Sequence, residues 1–209
     1  MRNIEKQLQY VWDFQEKFGH KQSSEMNVSS DLRKRKQRIE LFIEELEELE
    51  TAILENDNTE ILDASIDMLY INFGTIHLHG LGNVFNSLLK GEKEYCNTTI
   101  ENYPKLLRNA LNYGNFKNKY LEGKEKVTFL EITTFFLRLT VLNLSLCKKL
   151  ETEGIVKKGT FEKAFLEVHC SNMSKLDVHG NPIFRSDGKI LKGPNYFKPD
   201  LKQFLTSKK

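Results

Sequence analysis

Cysteine is scarce and badly placed for pairing. The three thiols, Cys96, Cys147 and Cys170, are odd in number, widely separated and never in a CxxC pair. That argues against a disulfide framework and a zinc site and leads us to expect reduced thiols in a cytoplasmic protein. Proline is also rare: there are four in 209 residues, and Pro182, Pro194 and Pro199 fall within the last 28. The body is therefore free to be helical, while the tail is broken by turns. Neither sign of charge dominates. A net charge of +2 gives no global field that would draw the chain to nucleic acid or a membrane. No apolar run reaches the ~18 residues of a membrane helix, since Glu131 and Arg138 interrupt the most hydrophobic stretch, residues 129–146. That stretch reads as a buried helix. The opening residues, Met1-Arg2-Asn3-Ile4-Glu5-Lys6, hold no apolar signal core.

What is present is apolar periodicity. Ile4, Leu8, Val11, Trp12 and Phe18 recur at helical spacing and stop at Gly19. A second helix is predicted over about 32–54, with Phe42, Leu46, Leu49 and Ile53 as its apolar stripe. A third is predicted over about 59–79, stopping near Gly80 and Gly82. Short helices are expected at 84–90 and 104–113. Thr128-x-x-Glu131 has the form of a capping box opening a long helix to about Leu150. An amphipathic helix follows from about Thr160. The tail is expected to hold a small hairpin around Ser186-Asp187-Gly188. The fold class is therefore all-α, with an irregular or hairpin C-terminal tail.

The chemistry is concentrated in acids. Glu45-x-x-Glu48 sits on the second predicted helix; Glu60-x-x-Asp63, followed by Asp67, sits on the third. Residues three or four apart share one helix face. Glu60, Asp63 and Asp67 fall within an arc of about 60°, flanked on both sides by apolar residues. Such a helix is buried nearly all round, and buried like charges are costly unless paired or metal-bound. Oxygen-rich side chains gathered from two adjacent helices make a site for a hard cation such as Mg²⁺. Bland alternatives stand beside this. Residues 44–50 fit a solvated charged face. Glu60 fits a first-turn carboxylate facing the helix dipole. Asp63 and Asp67 fit a buried ion network with the basic run at 33–38. Arg38 lies two turns before Glu45 on the same face and is placed to hold phosphate oxygens; residues 33–36 read as solubilising.

The run from Arg38 through Glu44, Glu45 and Glu48, followed by Glu60-Ile61-Leu62-Asp63-Ala64-Ser65-Ile66-Asp67, resembles the all-α nucleotide pyrophosphohydrolase superfamily. Its MazG-like and phosphoribosyl-ATP pyrophosphohydrolase-like members share an EExxE, spacer, ExxD pattern. Val11 to Gly19, Glu167 to Lys175, and Lys192-Gly193-Pro194-Asn195-Tyr196-Phe197 are similar to further segments of the second branch. Residues 86–158 are unmatched and read as a helical insert in one domain spanning 1–209. The resemblance implies a MazG-like bundle around an antiparallel acidic helix pair. It implies hydrolysis of a nucleoside triphosphate to the monophosphate and pyrophosphate, with Mg²⁺, or Mn²⁺ in its place. Glu45, Glu48, Glu60, Asp63 and Asp67 would hold metal. Glu44 and Glu45 would be catalytic, Glu44 as acceptor of the water's proton. Arg38, Asn172, Lys175, Lys192, Asn195 and Tyr196 would bind substrate. A homo-oligomer, dimer or tetramer, is implied. Two other readings stay open: phosphoribosyl-ATP pyrophosphohydrolase of histidine synthesis, and a non-catalytic helical module whose acids meet a partner's basic surface.

Overall fold

The computed structural model describes residues 4–20, 22–29, 31–90, 98–123, 126–186 and 188–207. Cys96 and the hairpin-tip Asp187 lie outside them. Eight α-helices are present among the described residues: α1 Glu5–Lys17, α2 Leu32–Glu55, α3 Asn58–Leu78, α4 Gly82–Leu89, α5 Tyr103–Leu111, α6 Phe116–Glu122, α7 Phe129–Thr152 and α8 Phe161–Met173. Extended structure there amounts to three isolated bridges, Val156 with Leu205, Leu176 with Pro182, and Phe184 with Ile190. The expected all-α class is what forms, and the tail hairpin is reduced to its single bridge. Only α6 has no counterpart among the expected helices.

The α2–α3 pair sets the frame. Asp31 caps α2, accepting from the Lys34 N–H at 3.0 Å. Asn56 ends α2 in the left-handed region at φ 54°, where a short polar side chain is tolerated better than most. Asp57 immediately caps α3 by accepting from the Thr59 and Glu60 N–H groups. A link this short forces the helices antiparallel and fixes their register. Counting back from the turn, Glu48 meets the turn of α3 bearing Asp63, and Glu45 the turn bearing Asp67.

α3 is the central element, packed by α1, α2, α4, α7 and α8. From Ile61 onward every residue of it is buried except Asp63, Asp67 and Ile71, which remain half-buried. The expected burial nearly all round is thus realised, and the one stripe with any access is the acidic one. Ile132, Phe136, Leu139 and Leu144 of α7 belong to the same apolar core as Phe42 of α2 and Phe73 of α3. By length and composition α7 would pass as a membrane-crossing helix. In this fold its apolar side is buried against α3 and α5, and the Asn143 amide donates to the Ser65 carbonyl at 2.8 Å. Arg108 of α5 makes a two-pronged pair with Glu50 of α2, both contacts at 2.5 Å. Within residues 86–158, α5 and α7 therefore share the core of the acidic pair.

Candidate active site

Two helical stripes face each other across a cleft. Lys34, Arg38, Leu41, Glu45 and Glu48 rise along α2 at alternating steps of four and three; Asp67, Tyr70, Ile71 and Leu78 run down α3. Phe14 and Gln15 of α1, His20, Gln37, Glu44, Asn172, Lys175 and the tail segment Gly188–Lys189–Ile190 complete the walls. The cavity encloses about 230 Å³.

The acidic end is electrostatically loaded. Burial raises the Glu45 carboxyl to about 9, with the charges of Asp67, Glu48 and Asp63 adding to the rise and Lys175 opposing it. Burial likewise lifts Asp63 to about 7, aided by Asp67 and Glu60 and offset by Lys198. Asp67 is lifted to about 6 by burial, against the pull of Lys175 and a hydrogen bond from Asn172. One Asp63 oxygen, Oδ1, is buried without a hydrogen-bond partner. Such an orphaned acceptor beside like charges needs a cation. Lys175, just past the end of α8, donates to the Asn172 Oδ1 at 2.5 Å, and both act on Asp67.

Opposite the acids the lining is cationic and aromatic. The Arg38 guanidinium nests against α3 where Gly74 has no side chain: a Cβ there would collide with it and with the Gln15 amide. Gln15 donates to the Gly74 carbonyl at 3.0 Å. Burial lowers Arg38 only to about 10, so it stays charged at neutral pH. Burial, then Arg38 and Lys34, hold His20 down at about 4, so its imidazole is neutral. Phe14 stacks on Phe18 at 4.3 Å and meets Tyr70 edge-on at 5.4 Å. Phe18 is fully buried, which leaves Phe14 as the ring facing the cleft.

A family description, phosphoribosyl-ATP pyrophosphohydrolase, matches residues 11–89. That span contains α1, the acidic pair and Arg38. An uncharacterised protein of Acanthamoeba polyphaga mimivirus is 31% identical over 191 residues, covering 83% of this chain and 73% of that protein. Through residues 11–89 the chain belongs to the all-α nucleotide pyrophosphohydrolases. No solved structure matches it. As a member of this superfamily it is an enzyme, a hydrolase acting on acid anhydrides. The non-catalytic reading is thereby set aside.

The pyrophosphohydrolase family implies a divalent metal ion, and the donor set fits one: hard oxygen ligands of one sign, half-buried at Glu45, Asp63 and Asp67 and exposed at Glu48, with an orphaned acceptor among them. The five expected ligands are nonetheless not a finished cage. Among the described residues no group of three or more His, Cys, Asp or Glu side chains is arranged to hold an ion. Like charges keep their distance, and Glu60 turns outward to an ion pair with Lys198 at 2.7 Å. Glu44, Glu45, Glu48, Asp67, Arg38, Asn172 and Lys175 are brought together as cleft-lining residues. Lys192, Asn195 and Tyr196 are not among them: Lys192 lies over the Tyr196 ring at 4.4 Å. A short-range contact between the two tail residues wins there over the longer reach to the cleft.

Gln15, His20, Lys34, Gln37, Tyr70 and Lys189 were not singled out in the sequence as site residues. Lys34, which reads as solubilising in the sequence, lines the cleft. Its signal was available, because Lys34 precedes Arg38 by four residues and so shares its face. Tyr70 follows Asp67 by three in the same way. His20 and Lys189 follow no helical period and had no such signal.

Gly74→Ala is expected to push Arg38 out of its seat. Alanine is the better helix former by about 1 kcal/mol, so α3 itself will hold. Loss of a charged hydrogen bond to substrate raises KM by about 10–100-fold with a smaller change in kcat. Steady-state kinetics decide this, and an unchanged KM would mean that Arg38 holds no phosphate.

Proposed function

We propose that the protein is a Mg²⁺-dependent nucleoside triphosphate pyrophosphohydrolase, converting a triphosphate and water to the monophosphate and pyrophosphate. The polarity of the cleft carries this reading: clustered carboxylates at one end, Arg38, Lys34, Lys175 and Lys189 along it, and Phe14, neutral His20 and two glutamines at the other. A triphosphate has the matching order of charge, linker and ring.

Glu45, Glu48, Asp63 and Asp67 would hold the metal, with Glu60 at the margin. Bound there, a divalent cation neutralises phosphate charge and acidifies a coordinated water. The residues do the rest. Arg38 and Lys175 orient phosphate oxygens as charge-assisted donors. Glu44 lies on the same helix edge, at the mouth of the acidic cluster, and accepts the proton of the attacking water. The anhydride bond between the α and β phosphates breaks, and pyrophosphate leaves with the electron pair. Phe14 offers a face for the base. The same reading includes a homo-oligomeric state, dimer or tetramer.

The test is a panel of ribo- and deoxyribonucleoside triphosphates, with phosphoribosyl-ATP included because the matched family carries that description. With Mg²⁺ or Mn²⁺, at least one triphosphate is expected to yield its monophosphate and pyrophosphate in equal amounts. Turnover of phosphoribosyl-ATP alone would move the assignment to that substrate. No turnover of any member would remove the reading.

A further inference from the structure

The tail closes one wall of the cleft with a residue that belongs to no helix. Phe184 and Ile190 form a bridge, the Arg185 N–H donates to the Lys189 carbonyl at 2.8 Å, and the Leu191 N–H donates to the Ile183 carbonyl at 2.8 Å. Gly188 takes φ +85°, a conformation open to glycine and strained for other residues. This brace is anchored on one side of the cleft by Phe184, edge-on to His20 at 6.3 Å. On the other side the Lys189 ammonium lies 3.1 Å from Glu44 Oε2. Both side chains keep about half their surface in water, 46% for Lys189 and 52% for Glu44, so the pair is solvated and weak. A polyphosphate chain offers several charges and many acceptor oxygens, and is the stronger partner for an ammonium.

We infer that Lys189 is a polyphosphate-binding residue, held by Glu44 in the free enzyme and handed to the substrate's phosphates on binding. The inference rests on the proposed reading of the cleft. A monophosphate offers a single phosphoryl group, already served by Arg38 and Lys175, and gains little from Lys189. The exchange therefore favours polyphosphates over the monophosphate product.

The test compares the full-length wild type, Lys189→Ala and Lys189→Arg. Calorimetry in Mg²⁺ uses two probes, inorganic pyrophosphate and adenosine 5′-monophosphate. Turnover of whichever triphosphate the panel identifies is measured alongside. Lys189→Ala is expected to weaken pyrophosphate binding and raise KM by about 10–100-fold, with monophosphate binding changed by less than about twofold. Lys189→Arg keeps the charge and is expected to restore most of the loss. Equal losses for both probes would mean that Lys189 only braces the fold, and would overturn the inference. So would an unchanged KM in Lys189→Ala beside an active wild type. A wild type that turns over no nucleotide would instead defeat the cleft reading, and this inference with it.

Discussion

Glu45→Gln is expected to slow pyrophosphate release by about 10²–10³-fold, the effect of removing one preorganised charged group from a reacting centre. The same change is expected to make the metal-free protein more stable. Glu45 is the most strongly perturbed acid in the cluster, raised to about 9 first by burial and then by Asp67, Glu48 and Asp63. Glutamine keeps its shape and cannot ionise, so unfolding no longer gains the ionisation that burial denies Glu45 in the fold. Opposite signs for activity and stability separate this outcome from misfolding, which lowers both. Pyrophosphate detection and thermal melts on one preparation read the two quantities. An active variant would take Glu45 out of the reacting centre, while an inactive variant that melts earlier would make its role structural.

The second large effect concerns pH and metal together. Glu45, Asp63 and Asp67 have folded values of about 9, 7 and 6, against 4.5, 3.8 and 3.8 for ordinary carboxyls. All three are raised, so the folded protein binds more protons than the unfolded chain across this interval. Stability from these groups is fully present below about pH 4, declines as pH rises, and is gone above about 9. Below about pH 7 the buried His20 and His79, held down at about 4, oppose this trend; above it the acids dominate, and the metal-free protein should melt progressively lower from about pH 7 to 9. A divalent cation competes with those protons and binds only the folded, ionised cluster. At about 100-fold over its dissociation constant it adds roughly 2.7 kcal/mol. For a chain of this size that is about 5–10 °C in Tm, largest at alkaline pH and smallest in acid. Thermal melts with EDTA, Mg²⁺ and Mn²⁺ across pH 5–9 test it. A Tm that rises with pH in EDTA above about pH 7, or one indifferent to both cations throughout, would contradict the buried-acid account of the site.

Much of the site was readable without coordinates, because helices impose a period. Asp63 and Asp67 stand out in sequence as charges on an apolar helix, and they are the half-buried stripe of α3. Glu45 and Glu48 were harder, since a run of glutamates fits a wet surface equally well; the Asn56–Asp57 turn sets both opposite α3, where Glu45 is half-buried and Glu48 stays exposed. Arg38 was legible at two turns from Glu45, and its neighbour Lys34 was legible by the same rule but passed over in a basic run. Lys192, Asn195 and Tyr196 lie where no period applies, and they do not line the cleft. Lys189, 145 residues from Glu44 along the chain, illustrates the same limit from the other side.

The sequence by itself determined every described α-helix but α6, the capping box that opens α7, the acidic stripe of α3 and the family motif, all of which depend on residues within a few turns of one another. The tertiary structure decided what needed distant segments: Gly74 making room for Arg38, α8 bringing Asn172 and Lys175 to Asp67, Lys198 drawing Glu60 away, and the tail setting Lys189 on Glu44. Local spacing fixes which side chains share a face. Only packing fixes which faces meet, because that depends on the burial of the whole core at once.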